Sequence, residues 1–413
     1  MSNRPFHWAW VTLATCFVNI FINYSIRLGY GILLPEMIRA LDITRTQGGM
    51  IYNSYLITYI TLSPLTGNLT DRIGAKTVIT FFCLLLTAGT SLMGTVRQFW
   101  SACLFFAIVG AGAAAMWTPV VALVQRWFGT RRRGMALGIL STGYGLGFAT
   151  MGGLFPLIVE TYSWRYCWFL LGAAAGVMVL VNGLLLRSNP EDHAMAPWGE
   201  DPNPVPTQPV QEVSFPYRLI LKTTRFWLIG MSYCFIAAAL YIITTFMVDY
   251  AHQELGIAYD MAALLATVHG LSQVGGVLTI PAISDYVGRR YTLITSNTVV
   301  ACTFVGIIAV GANTSWLFVI IGIVGVCYGI TFPIYGACAG DYFPKEVIGT
   351  VLGAWTTCYG LGAIGGLIVA GRIRDVTQSF GWAFFIAVAC AGIAAVLIFL
   401  VRDQTTHDLA VQR

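Results

Sequence analysis

Apolar runs of about 20 residues, the length that crosses a bilayer as a helix, alternate with short polar breaks along the whole chain. Twelve can be read, over residues 8–34, 47–69, 76–96, 99–127, 134–159, 165–187, 226–250, 261–284, 291–311, 316–340, 347–370 and 379–401. Six fall in each half. The pattern predicts an all-α membrane protein of twelve transmembrane helices in two pseudo-symmetric six-helix bundles, residues 1–187 and 225–413, joined by a polar linker over 188–224. The first run is too long for a signal-peptide core and has no small-residue cleavage site ahead of its end, so it is expected to stay as helix 1.

The two halves repeat each other. Thr142-Gly-Tyr144-Gly-Leu-Gly147 returns as Thr357-Cys-Tyr359-Gly-Leu-Gly362, and Phe128, Gly134 and Gly138 return at the same interval as Phe343, Gly349 and Gly353. A second echo aligns Gly67-Asn-Leu-Thr-Asp71-Arg72-Ile-Gly74-Ala-Lys76 with Pro281-Ala-Ile-Ser-Asp285-Tyr286-Val-Gly288-Arg-Arg290. Parallel membrane repeats imply a pseudo-two-fold axis along the bilayer normal and a substrate site opened by rocking one half against the other. The glycines of helices 5 and 11 (Gly143, Gly145, Gly147, Gly152, Gly153 and Gly360, Gly362, Gly365, Gly366) permit close helix approach and are assigned to that rocking interface.

Composition agrees with a lipid solvent: 57% of the 413 residues are hydrophobic, 10% are charged, and mean hydropathy is +0.73. The net charge of +5 matters through its placement. With the N-terminus in the cytoplasm, sixteen Lys and Arg residues fall on the cytoplasmic side and six on the other. The positive-inside rule then puts both termini in the cytoplasm, and a bacterial-type plasma (inner) membrane is the expected setting. The basic residues orient the chain and call for no nucleic acid. The ten cysteines lie in hydrophobic runs without a Cys-x-x-Cys pair, which suggests packing residues rather than disulfides or a metal site. The linker has seven prolines between Pro190 and Pro216 and nothing catalytic. No nucleotide loop, His-Glu-x-x-His or Gly-x-Ser-x-Gly motif occurs, so an enzyme with a cofactor is not expected.

The Gly67–Lys76 segment, Gly-x-x-x-Asp-Arg-x-Gly-x-Lys after helix 2, resembles the signature of the major facilitator superfamily, and with its weaker copy at 281–290 the resemblance covers the whole chain. It implies the twelve-helix major facilitator fold and a conformational lock built from Gly67, Asp71, Arg72, Gly74 and Lys76 in one half and Asp285 and Arg290 in the other. Carboxylate and cation at helix ends would join in one state and part in the other. The run Arg126-Trp-Phe-Gly-Thr-Arg-Arg-Arg-Gly134, with Ser163-Trp164-Arg165-Tyr166 further on, resembles the monocarboxylate porter and oxalate/formate exchanger branches. Those branches imply small organic anions. The charges that animal monocarboxylate transporters carry would land on Leu28, Gly276 and Ile280, and all three are absent. Drug/proton antiporters of the superfamily have a proline in helix 5 where this chain reads Gly147-Phe148-Ala-Thr-Met-Gly152-Gly153, which counts against drug export.

Ionisable groups inside a membrane are costly, so each is a functional candidate. Arg27 shares a helix-1 face with Asn23, Asn19 and Thr15 at i, i+4 spacing and could grip a carboxylate bidentately; about 28 Å along its helix, it could instead snorkel to the interface. His269, with Gln273 one turn on, suits proton or substrate handling, or a plain interhelical hydrogen bond. Asp249, in Asp249-Tyr250-Ala-His252-Gln-Glu254, could take protons, or belong with Glu36 among loop charges. The resemblance also places helices 1, 4, 7 and 10 on the path, nominating Trp117, Thr118, Tyr233, Tyr241, Tyr328 and Tyr335 for binding or for packing. The expected function is proton-coupled symport of a small monocarboxylate such as lactate or pyruvate. An organic anion exchanger is the alternative, with a drug/proton antiporter or a non-transporting membrane sensor behind it. The expected partners are the anion, the proton and the lipid bilayer, with a monomer as the unit.

Overall fold

The computed structural model describes residues 7–129, 132–191, 195–199, 221–343 and 347–401. Its elements are the helices α1 (Trp8–Leu41), α2 (Arg45–Ile73), α3 (Ala75–Met93), α4 (Phe99–Ala113), α5 (Thr118–Trp127), α6 (Arg133–Thr161), α7 (Trp164–Leu185), α8 (Thr224–Asp249), α9 (Tyr259–Val287), α10 (Arg289–Val310), α11 (Thr314–Tyr342), α12 (Ile348–Thr377) and α13 (Gly381–Phe399). Among the described residues, eleven helical segments are long and apolar enough to cross a membrane, with α4 and α5 together counting as one. The twelfth is α2, with 29 residues. Within it, hydroxyls turn back on the backbone: Thr70 Oγ1 donates to Thr66 O (2.7 Å) and Ser63 Oγ to Tyr59 O (2.6 Å).

The single helix expected over 99–127 is broken at 114–117. Pro119 follows at the start of α5, where its missing N–H costs nothing. Thr66 Oγ1 donates to the carbonyl of Ala114 at the break (3.0 Å). Pro333, at the matching place in the second half, stays inside the continuous α11.

By its contacts the chain divides into two units, Met1–Ile43 with Met50–Gln208, and Thr44–Gly49 with Pro209–Arg413. The first is built on the pairs α1·α6, α3·α7 and α1·α7, the second on α8·α12, α10·α13 and α8·α13. These are the same pairings one repeat apart. A Cβ on Gly147 would lie 2.5 Å from the Phe21 carbonyl oxygen, and one on Gly362 1.9 Å from that of Cys234. Gly143, Gly147, Gly362 and Gly366 therefore press on the first helix of their own unit, which is packing inside each bundle. Gly134, Gly138, Gly349 and Gly353 have nothing within 4 Å of such a Cβ.

Local geometry repeats as well. Gly74 (φ +85°) and Gly288 (φ +96°) turn the chain into α3 and α10 through left-handed backbone that favours glycine. Arg165 Nη1 donates to the carbonyls of Gly94 and Val96, closing the end of α3. Arg290 Nη2 donates to Phe399 O (2.6 Å) at the end of α13. Cations at helix C-termini complement the dipole there.

Most of the linker read over 188–224 lies outside the described residues. Its described Trp198 belongs to the first unit, where its N–H donates to Trp127 O (2.8 Å) and its ring meets Trp10 edge-on (5.1 Å).

Candidate functional site

In the first unit, α1 carries Arg27 through the bundle with only 6% of its surface exposed. It does not snorkel. The guanidinium carbon sits over three tyrosine rings, Tyr59 at 5.1 Å, Tyr24 at 5.5 Å and Tyr55 at 5.7 Å. Tyr55 and Tyr59, one turn apart on α2, are stacked at 6.0 Å with an interplanar angle of 6°. Ring faces partly replace water around a buried cation. Tyr24 continues to Tyr144 of α6 (4.6 Å), and Tyr144 to Trp117 (5.1 Å) where α5 begins. Thr118, the next residue, is exposed, and Leu28 is buried.

The polar stripe read along α1 divides in two. Asn19 belongs to bundle packing: its Nδ2 donates to Asn182 Oδ1 (2.7 Å), and Asn182 Nδ2 donates back to Asn19 Oδ1 (2.9 Å). Asn23, one turn nearer Arg27, is 2% exposed, and its Oδ1 is buried with no hydrogen-bond partner.

In the second unit, α9 and α11 touch because α11 carries glycines at the contact. A Cβ on Gly325 would stand 2.4 Å from His269 O, and one on Gly329 2.4 Å from Gln273 O. His269 is fully buried, and its ring meets Tyr328 of α11 at 5.3 Å, nearly edge-on. Gln273 is 2% exposed, and its Oε1 is buried without a hydrogen-bond partner. Tyr335 has its hydroxyl engaged with Ser232 Oγ (2.6 Å) and Asn297 Nδ2 (3.1 Å), as a packing residue would. Tyr233 stacks on Tyr335 (4.4 Å) and leans on Tyr359 (4.4 Å), which Tyr241 meets edge-on (5.8 Å).

Asp249 is no loop charge. At the end of α8 it is wholly buried and accepts from Arg45 Nε (3.1 Å) and Nη2 (3.3 Å). Asp375 of α12 accepts the N–H groups of Arg45 (2.8 Å) and Thr46 (2.8 Å) and the hydroxyl of Thr46 (2.6 Å). This carboxylate answers the donors that a helix start leaves open. Glu254 accepts from Ser379 Oγ (2.6 Å) and Phe380 N (2.8 Å), with Arg374 Nε at 3.5 Å. Sequence reading missed Arg45, Arg374 and Asp375 as network members, since partners some 330 positions apart leave no trace in local spacing. Their one signal was charge near helix ends in a chain with few charges. Glu36 pairs with Arg39 one turn on (3.1 Å).

The signature segments form ion pairs in each unit. Asp71 accepts from Arg126 Nη2 (3.3 Å) rather than from its neighbour Arg72, which is exposed. The backbone N–H of Lys76 donates to Ser188 Oγ (3.3 Å), and a Cβ on Gly67 would make ordinary contact with Thr118. In the second unit Arg289 bridges Asp285 (3.0 Å) and Asp341. Arg290, read as the lock's base, donates to Phe399 O at the end of α13.

A family model, Major Facilitator Superfamily, matches residues 16–257 and 231–412. The hexuronate transporter of Bacillus subtilis (strain 168) is 23% identical over 91% of this chain and 90% of its own. Monocarboxylate transporter 13 of Rattus norvegicus is 24% identical over 98% and 92%. A crystallised bacterial homologue of the human lysosomal transporter Spinster, inward-facing and unoccupied, superposes with a TM-score of 0.74 at 14% identity, covering 97% of both chains. A helical array repeated pair for pair, a family model matched in both halves and relatives aligned over nearly their full length place this chain in the Major Facilitator Superfamily, as an integral membrane transporter and not an enzyme.

Proposed function

We propose that the protein is a secondary carrier of a small organic acid, a monocarboxylate of the lactate or pyruvate kind, moved by proton symport. The observation that carries this reading is Arg27, a buried guanidinium among tyrosine rings. A cation at membrane depth is expensive, and a fork of N–H donors is the group that holds a carboxylate best. The named cargoes of the relatives, hexuronate and monocarboxylates, are organic anions too. His269 is the proton partner in this reading. A proton carried with a carboxylate cancels its charge and lowers the cost of taking it through the membrane. The pairs Asp71–Arg126 and Asp285–Arg289–Asp341 serve as conformational locks, with Gly67, Arg72, Gly74 and Lys76 shaping the first. A bacterial-type inner membrane with both termini cytoplasmic is the proposed setting.

The test is uptake of labelled lactate and pyruvate into proteoliposomes under an inward proton gradient. Arg27→Ala abolishes uptake, and Arg27→Lys restores only part of it because an ammonium lacks the planar fork. His269→Gln abolishes stimulation by the gradient while exchange of internal for external substrate continues. Undiminished uptake by Arg27→Ala removes the anion anchor. Flux that needs internal substrate but no pH gradient makes the protein an exchanger.

A further inference from the structure

We infer that the chain following α7, at the start of the connection between the halves, is a strap on the first unit: it holds the end of α5 and so presents Arg126 to Asp71, with Trp198 and Asn189 as its positioning residues. This rests on the reading of that pair as a conformational lock and supplies what keeps the pair made.

An ion pair this open holds little by itself. The Asp71 side chain is 77% exposed and that of Arg126 34%, so water and salt screen both charges, and fixing two side chains in one geometry costs entropy. The base also stands on a short helix. α5 has ten residues and is cut from α4 by the break at 114–117, whereas the matching stretch of the second half stays inside the continuous α11. A helix of that length is marginal without partners, so its last turn needs an anchor.

The strap supplies four hydrogen bonds there. Asn189 Oδ1 accepts from Arg126 Nη1 (3.3 Å), and the carbonyl of Arg187 accepts from the Trp127 indole N–H (2.9 Å). Trp198 N–H donates to Trp127 O (2.8 Å), and Gly129 N–H donates to Trp198 O (3.0 Å). These last two form a short parallel pairing about the extended Phe128, which answers a carbonyl that a helix C-terminus leaves open. The Trp198 ring is seated against Trp10 (5.1 Å) and Phe128 (5.7 Å), with the Arg132 guanidinium over it at 5.4 Å. Met195 N–H donates to Pro190 O (3.1 Å), tying the far part of the strap to its beginning. The strap also reaches the acid's side. Ser188 Oγ accepts from the backbone N–H of Lys76 (3.3 Å), in the turn that follows Asp71. Neighbouring residues of one segment thus touch the base itself and the turn beside the acid.

The test is the rate at which phenylglyoxal, a reagent for free guanidinium groups, modifies Arg126 in the purified full-length protein, read by mass spectrometry against exposed Arg72 as internal standard. Trp198→Ala and Asn189→Ala are expected to raise the relative rate about two- to fivefold, the range open to an exposed ion pair, and toward the value in Asp71→Asn. Trp198→Phe, which keeps a ring for Trp10 and Arg132, stays close to wild type. A rise in only one of the two alanine variants still supports the strap and assigns the hold to that contact. Unchanged Arg126 reactivity in both overturns the inference. So does a rise shared by Arg289 of the second unit together with a fall in thermal unfolding, which is general loosening and not release of one helix end. Failure of the lock reading looks different: Arg126 is released as expected, yet Asp71→Asn and Arg126→Ala carry labelled lactate at the wild-type rate.

Discussion

The Arg45–Asp249 pair is asymmetric in burial, and that asymmetry makes its two truncations unequal. The Asp249 side chain is 0% exposed and that of Arg45 22%. Arg45→Ala strands a carboxylate in the interior of the second unit, a change that costs about 3–5 kcal/mol when a buried pair loses one member. Asp249→Asn leaves a cation with a route to water and an amide that still accepts, so only the charge-assisted part is lost, about 1–3 kcal/mol. A unit of roughly 200 residues changes its midpoint by about 2–4 °C per kcal/mol. Arg45→Ala is therefore expected to lower thermal unfolding by about 6–20 °C and Asp249→Asn by about 2–12 °C. The double variant Arg45→Met/Asp249→Leu removes both charges together and recovers most of the loss, because apolar replacement of a whole buried pair is often neutral or stabilising. The assay is tryptophan emission during heating of detergent-purified protein at a fixed scan rate, since unfolding of such proteins is often irreversible. Equal losses in the two single variants, with an additive double, would refute the argument by showing that Arg45 and Asp249 do not share one interaction.

Two more substitutions separate packing from function. Gly362→Ala sets a methyl 1.9 Å from the Cys234 carbonyl oxygen, and as a backbone atom cannot step aside, monodisperse protein is lost on size exclusion; Gly349→Ala meets nothing within 4 Å and is neutral or stabilising by up to about 1 kcal/mol. Tyr335→Phe removes the oxygen shared by Ser232 and Asn297, costing about 1–3 kcal/mol in thermal unfolding with substrate affinity unchanged; weaker substrate binding would return Tyr335 to the binding residues.

What the sequence made legible follows from what membrane physics makes local. A spanning helix is a run of apolar residues and a repeat is a fixed interval, so the helices and their duplication could be read along the chain. The break at 114–117 could not be read that way. Pro119 has a counterpart in Pro333, and one helix stops where the other continues; the difference lies in surroundings such as the Thr66 hydroxyl on Ala114. Arg27 was visible as the lone base inside an apolar run, but its tyrosine neighbours sit on two helices and appear only once α1 and α2 pack. The motif acids were visible and their partners were not. Asp71 passes over adjacent Arg72 for Arg126, 55 residues on.

The repeat also explains how two similar bundles come to hold different chemistry. Backbone devices recur in place: the positive-φ turns at Gly74 and Gly288, the extended caps at Phe128 and Phe343 and the pressed glycines Gly147 and Gly362. Each is dictated by helix ends or helix approach and is blind to cargo. The charges do not recur. A base at Arg126 answers Asp71 in the first unit, whereas in the second an acid, Asp341, occupies the corresponding helix end and the base has moved to Arg289. Arg27 has no arginine at its place in α8, nor His269 a histidine in α2. A scaffold held by backbone geometry leaves side-chain charge free to differ between its halves. Exchanging the two chemistries, Arg27→His together with His269→Arg, is expected to stop transport, because the anion grip and the proton site each depend on their own surrounding rings and amides; thermal unfolding of the variant separates that loss from the cost of placing an arginine in the buried His269 position. Retained transport by that variant would show that the two groups are interchangeable charges rather than built sites.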